Sequence, residues 1–130
     1  MNIVTSQEIA QFRSLLADYP QALEALDLIE DCEGDLEDAT MTLSIRIGQE
    51  PGTENSEWLY SLAKKWRTVI CRSEFREDLL NSNLKGVMMY FEQISSFPIL
   101  LAAPILMYAF KKGWNNFCQP LDSTLNNFKG

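Results

Sequence analysis

Apolar residues in the first third of the chain recur three or four positions apart in three short segments, which is the spacing of one face of an α-helix. Thr5 can form a capping box with the glutamate three residues later and so begin the first helix. Pro20 suits the first turn of the second helix, and Asp35 is a suitable N-cap for the third. Gly48 can end the third helix in the left-handed conformation. The pattern therefore predicts a three-helix unit over residues 1–48.

The rest of the chain shows the same helical spacing after an exposed loop at residues 49–55. Three further amphipathic segments lead into fourteen consecutive apolar residues, Phe97–Phe110 (FPILLAAPILMYAF). We expect one central helix from Pro98 to Cys118, which the following Gln-Pro pair ends.

These elements predict the fold class and the organisation of the chain. Patterns typical of β-strands are almost absent, and no internal repeat is visible. We expect an all-α fold, a single-domain bundle of six or seven helices over residues 1–130, with the apolar helix buried. Within it, residues 56–120 form a C-terminal helical unit and residues 121–130 a tail.

The length of the apolar run distinguishes a buried helix from a membrane span. A membrane-spanning helix needs about 20 apolar residues, whereas runs of about 10 to 14 are more typical of buried helices. Pro98 and Pro104 each remove a backbone hydrogen bond, which the interior of a membrane penalises. We therefore expect a buried helix. The alternative is a peripheral membrane protein that uses residues 97–114, because the lysines and the tryptophan at the end of this segment resemble an interfacial anchor.

Negative charge is concentrated in one short segment. The composition is that of a globular protein, with 46% hydrophobic and 22% charged residues, and the net charge is −7. Eight acidic residues and no basic residue lie in one stretch of fifteen positions: Glu24, Asp27, Glu30, Asp31, Glu33, Asp35, Glu37 and Asp38. Nucleic-acid binding needs a basic surface that neutralises phosphates, so we do not expect nucleic acid as a partner.

Six of these side chains form our first candidate interaction surface, which we call the acidic surface: Glu24, Asp27, Glu30, Asp31, Glu33 and Asp38. Their mutual repulsion, and their position at the negative end of the second helix, call for a cationic neighbour. We favour pairing within the chain, with the basic residues of the fourth and fifth helices: Lys64, Lys65, Arg67, Arg72 and Arg76. The alternative is that both sets dock other proteins.

A second candidate surface, the C-terminal patch, follows the apolar run. It consists of Tyr108, Lys111, Lys112 and Trp114. Tyrosine and tryptophan have an apolar ring and a polar atom, which suits partly exposed binding surfaces. We therefore expect both aromatic side chains to be partly exposed.

Residues that carry catalytic chemistry are scarce. The chain has no histidine, and phosphate-binding, nucleophile-elbow and metalloprotease motifs are all missing. We expect no catalytic residue, no cofactor and no metal site, and hence not an enzyme. The three cysteines, Cys32, Cys71 and Cys118, are far apart in sequence, which favours buried free thiols in a reducing compartment. The N-terminus lacks the pattern of a secretory signal, so we expect a cytoplasmic protein.

The first helices resemble the ubiquitin-associated type of three-helix module. The resemblance covers residues 9–47, including the stretch ALEALDLIEDCEGDLEDATMTL. That family begins its third helix with a Gly-Asp pair followed by a packed alanine, which Gly34, Asp35 and Ala39 match. The loop with which that family contacts ubiquitin is replaced here by residues 18–20 (DYP), so ubiquitin binding is not implied.

The middle and C-terminal portions resemble small helical proteins or modules that accompany bacterial NACHT-type signalling NTPases. The resemblance lies in NSEWLYSLAKKWRTVICRSEFREDLL, in the apolar run, and in KKGWNNFC and PLD. It implies a regulatory or adaptor role in bacteria, with a separate NTPase as the partner protein. A homodimer is a further possible assembly.

Overall fold

The computed structural model describes residues 2–51 and 55–129, and side chains in these ranges except those of residues 55–57 and 124–129. Over this part the fold is all-α, as predicted, and its one β-feature is an isolated antiparallel bridge between Ile3 and Asp35. The helices are α1 Ser6–Leu15, α2 Pro20–Asp31, α3 Leu36–Arg46, α4 Asn55–Ile70, α5 Ser73–Leu80, α6 Lys85–Gln93, α7 Ala102–Lys112 and α8 Trp114–Lys129, with a 3-10 turn at Ile99–Leu101.

Helix ends in the first third follow the predicted capping chemistry. The Thr5 hydroxyl accepts a hydrogen bond from the Glu8 N–H at 3.1 Å, and the Glu8 carboxylate accepts one from the Thr5 N–H at 2.9 Å. The Asp35 carboxylate caps α3 by accepting from two backbone N–H groups, at 3.0 and 3.1 Å. Gly48 follows α3 with φ +83°. All three local predictions are confirmed.

The apolar run forms the centre of the bundle. Every residue from Ala102 to Ala109 is buried, and α7 packs against α2, α3, α4 and α8. Across the described ranges, no helix combines the length and the apolar character that crossing a membrane requires.

The predicted single helix from Pro98 to Cys118 is wrong. Pro98 precedes the 3-10 turn, and Gly113, with φ +88°, separates α7 from α8. A positive φ is incompatible with a continuing right-handed helix. The side chain of Asn116 then donates to the Lys112 carbonyl at 3.2 Å, which satisfies one carbonyl at the end of α7.

Pro120 does not end the last helix, contrary to the prediction. It lies inside α8, where a proline costs one backbone hydrogen bond. Side chains on both sides of it hold the helix against the bundle, because Phe117 and Cys118 are buried and Leu121 packs on the core. With the break at Gly113, the described residues form eight α-helices, more than the six or seven predicted, and most of the predicted tail is helical.

Two of the three cysteines are joined, which corrects the prediction of free thiols. Cys71, directly after α4, forms a disulfide with Cys118 of α8, and their Cα atoms are 5.7 Å apart. Helix packing brings together residues that are 47 positions apart, and sequence spacing alone does not reveal such a pair. Cys32 is free and half-buried.

Candidate interaction surface and a basic groove

The acidic surface is solvent-exposed, as an interaction surface requires. All six of its carboxylates are exposed, from α2, the α2–α3 turn and the first turn of α3: Glu24, Asp27, Glu30, Asp31, Glu33 and Asp38. Helix α2 has no basic residue in its last turn, so no side chain of that turn offsets the repulsion between these carboxylates and the negative end of the helix dipole.

The α2–α3 turn that carries part of this surface is held in one conformation. Glu33 and Gly34 both have positive φ, +56° and +84°. A Cβ on Gly34 would overlap the carbonyl oxygen of Val4. The Val4 N–H donates to the Gly34 carbonyl at 2.9 Å, and the Leu36 N–H donates to the Asn2 carbonyl at 3.0 Å. The N-terminal segment therefore fixes the turn.

Arginines from α1 and α3 neutralise part of the acidic surface. Arg13 bonds Asp27 at 2.7 Å and Glu30 at 3.1 Å, and Arg46 bonds Glu24 at 3.3 Å. The hydrogen bond to Asp27 is the main cause that raises the pKa of Arg13. These exposed pairs are each worth little in water.

In the described ranges, the arginines of α4 and α5 do not form the predicted pairs with the acidic surface. Arg72 bonds Glu74, and Arg76 bonds Asp122 of α8 at 3.0 Å. Arg67 lies over the ring of Phe117. Helix α4 does pack along α3, but a hydrogen bond from the Trp58 indole to the Ser44 hydroxyl, 2.8 Å long, joins them there.

Two carboxylates of the acidic surface have no ion pair in the part of the chain that the structure describes: Asp31 and Glu33. The thiol between them, Cys32, has a raised pKa because it is partly buried and close to Asp38, Asp35 and Asp31. It therefore stays protonated near neutral pH. Within the same ranges, no three acidic or cysteine side chains converge to hold a metal ion.

The C-terminal patch is only partly exposed. Tyr108 and Trp114 are 5% and 8% exposed, so the prediction that both are partly exposed is wrong. They lie on the faces of α7 and α8 that meet the core, and Trp114 packs edge-on against Phe110. The two lysines are exposed. Lys111 bonds the Glu8 carboxylate at 3.1 Å, which ties α7 to α1.

A groove lies beside this patch, between α4, α7 and α8. Its volume is about 250 Å³, and it is lined by Tyr60, Arg67, Tyr108, Lys112, Asn116, Phe117 and Pro120. Sequence analysis placed Tyr108 and Lys112 in a candidate surface patch and Arg67 in the basic set of α4 and α5. Helix α8 follows α7 directly, but α4 is distant from both in sequence, and no sequence motif connects it to them.

Two cations rest on two aromatic rings in this groove. The guanidinium carbon of Arg67 is 4.9 Å from the centre of the Phe117 ring, and Lys112 Nζ is 5.5 Å from the centre of the Tyr108 ring. The two rings meet edge to face, with centres 6.3 Å apart. Burial, followed by the proximity of Tyr60, raises the pKa of the Tyr108 phenol; Glu37 also raises it, and Arg67 acts to lower it. The Tyr108 hydroxyl therefore keeps its proton at neutral pH.

Comparison with known proteins assigns no family to the chain. It matches no family model, no curated protein and no solved structure. The resemblances to a ubiquitin-associated unit and to NACHT-associated helical modules stay predictions.

Proposed function

We propose that this protein is a non-catalytic interaction module that binds a partner protein through the acidic surface. One observation supports this most directly. The exposed carboxylates on α2 and the α2–α3 turn outnumber the two arginines that pair with them. A cationic partner would relieve the repulsion that remains. The fixed turn presents Asp31 and Glu33 without a loss of backbone freedom on binding, which favours affinity.

The partner we propose is a signalling NTPase of the NACHT type with a basic docking surface. The class of partner rests on the sequence resemblance, and its basic character on the charge of the acidic surface. Exposed charges mainly accelerate association and select the partner. Binding should therefore weaken as salt is added, because the Debye length falls from about 10 Å at 0.1 M salt to about 3 Å at 1 M.

Charge reversal on the acidic surface tests the proposal. Asp31→Lys/Glu33→Lys is the test variant, because neither side chain belongs to an ion pair among the described residues. Glu77→Lys/Glu92→Lys is the control, since it changes the net charge equally at exposed positions on α5 and α6. The measurement is capture of the NTPase from the native host by each tagged protein, quantified by mass spectrometry.

We expect the test variant to capture at least about tenfold less NTPase than the wild type, since close charge pairs contribute several kcal/mol at interfaces. The control should capture as much as the wild type. Equal capture by all three proteins would show that the acidic surface is not the docking site. Equal losses in both variants would show a dependence on net charge alone.

We also propose that the module acts in the cytoplasm. Cytosolic thiol systems keep most cysteines reduced, so this location predicts an open Cys71–Cys118 pair in the cell. Because both side chains are buried, cells should be quenched with acid and the protein denatured before alkylation, and peptide mapping should then find both residues labelled. A pair that is labelled only after a reductant is added would instead indicate an oxidising compartment.

A further inference from the structure

We propose that the groove between α4, α7 and α8 binds a small phosphate monoester with a flat apolar body, with its phosphate group between Arg67 and Lys112. This site is separate from the acidic surface, which lies on α2 and the start of α3. The ligand is a small molecule and does not depend on the partner protein proposed above.

The first observation is an unsatisfied donor. The Nε atom of Arg67 is buried and has no hydrogen-bond partner. A buried N–H of a charged group without an acceptor is costly, and such groups in folded proteins are rare. Arg67 also has no carboxylate partner among the described side chains. A negatively charged group in the groove would balance the charge of the half-buried guanidinium, although the buried Nε itself is out of its reach.

The second observation is the balance of charge and donors. Lys112 supplies a second cation that forms no ion pair with the described carboxylates. The phenol O–H groups of Tyr60 and Tyr108 can donate as well, and the raised pKa of Tyr108 keeps its proton in place. A phosphate monoester carries about 1.5 to 2 negative charges and three acceptor oxygens. It matches two cations and several donors better than a carboxylate, which has one charge and two oxygens.

The third observation concerns the walls and the size of the groove. Phe117 and Tyr108 are buried aromatic residues, and Tyr60 is 44% exposed at the edge. The exposed ring of Tyr60 provides flat apolar surface for the body of a ligand. A volume of about 250 Å³ is just below the range of about 300 to 1,000 Å³ that is usual for ligand pockets. The groove therefore suits a ligand with a single ring.

One neighbouring group opposes the binding of anions. Glu37 is close enough to raise the pKa of Tyr108, so its negative charge also acts on the groove. Its carboxylate accepts a hydrogen bond from the Asn2 amide at 2.9 Å. A glutamine at this position keeps an acceptor for Asn2 and removes the charge. Glu37→Gln should therefore strengthen the binding of an anion.

Phenyl phosphate is the probe for this site, and isothermal titration calorimetry at low salt is the measurement. We expect saturable one-to-one binding of phenyl phosphate, tighter than that of inorganic phosphate or benzoate. Lys112→Gln should weaken binding by about tenfold, since a charge-assisted hydrogen bond is lost. The control Lys64→Gln removes an exposed cation of α4 that does not line the groove, and it should leave binding unchanged. Glu37→Gln should bind more tightly than the wild type.

Arg67→Gln is the second variant, with its folding checked by urea denaturation because the side chain packs on Phe117. If it folds, it should lose at least as much affinity as Lys112→Gln. Absence of saturable binding to the wild type would overturn the proposal. Equal losses in Lys112→Gln and Lys64→Gln would also overturn it, since they would indicate attraction to overall charge. Benzoate binding as tightly as phenyl phosphate would exclude the assignment to phosphate monoesters.

Discussion

The acidic surface and the basic groove differ in the sign of their charges, in how exposed those charges are and in what contacts them. The acidic surface holds six carboxylates in water, and two arginines pair with three of them, Glu24, Asp27 and Glu30. The groove holds two cations, each on the face of a ring, and one of them has a buried N–H without a partner. The carboxylates therefore lie where water screens them, whereas one of the two groove cations, Arg67, is half-buried and is screened less.

This difference indicates what each region can recognise. A charge on an exposed helix contributes little by itself, so the acidic surface needs a partner large enough to cover several carboxylates at once. A partly enclosed cation interacts more strongly with one anion, because the local dielectric constant is lower. The groove therefore suits a small ligand. The charge of a region and its burial together indicate the kind of partner, and neither does so alone.

Removal of the disulfide should have the largest effect, and it should distinguish the two regions. The disulfide joins the end of α4 to α8, two of the helices that form the groove. Cys71→Ser/Cys118→Ser should lower the free energy of unfolding by roughly 4 kcal/mol, because the bond constrains a long loop of the unfolded chain. Urea denaturation measures this, with Cys32→Ser as the control for a free cysteine. The same double variant should keep its binding through the acidic surface. A loss no greater than that of Cys32→Ser would contradict this role for the disulfide.

The second test concerns the α2–α3 turn, which carries part of the acidic surface. It compares substitutions at two glycines that have nearly the same φ, Gly34 and Gly48. Gly34→Ala should destabilise the protein by about 3 kcal/mol, because it combines a left-handed backbone with overlap on Val4. Gly48→Ala should cost only about 1 kcal/mol, since no atom lies within 4 Å of its added Cβ. Thermal or urea unfolding of both variants gives the comparison. Equal losses would mean that the N-terminal segment does not hold the α2–α3 turn.

The ion pairs of the acidic surface should have a smaller effect. Arg13→Gln removes the contacts to Asp27 and Glu30 and should cost less than about 1 kcal/mol, since the pairs are exposed. The cost should shrink further at 1 M salt. A large loss that does not depend on salt would show that these pairs behave like buried ones.

The smallest effect is a dependence of stability on pH. Burial acts to raise the pKa of Glu8, but hydrogen bonds from Thr5 and the contact with Lys111 outweigh it and lower the pKa below the usual 4.5. A lowered pKa in the folded state adds stability above pH 4.5, and this stability is lost as pH falls through the lower, folded value. Glu8→Gln should therefore be less stable than the wild type at pH 7, and the difference should shrink below pH 4. An unchanged difference at acid pH would contradict the shift.

Local chemistry made the first helices predictable. The caps at Thr5 and Asp35 and the end at Gly48 depend on residues adjacent in sequence, and all three are found. The break at Gly113 was missed, because apolar residues at helical spacing continue across it from α7 into α8. A glycine inside such a pattern does not by itself indicate a positive φ.

Features that depend on tertiary contact were not predictable. The disulfide, the partners of the basic side chains and the groove all join helices far apart in the chain. Tyr108 and Trp114 were expected to be partly exposed because they adjoin lysines, but the direction of each helix face decides burial. The acidic surface was predictable as a site of exposed charge, since its carboxylates follow one another in the sequence and seldom become buried.

Two titrations of one isotopically labelled sample, followed by amide chemical shifts, test most directly whether the two regions are separate recognition sites of opposite charge. Heptalysine should shift amides of α2 and the α2–α3 turn, around Asp31 and Glu33, and leave the groove unchanged. Phenyl phosphate should shift amides around Arg67, Lys112 and Phe117 and leave the acidic surface unchanged. Shifts at the same residues with both probes, or no shift at the groove with phenyl phosphate, would contradict the account.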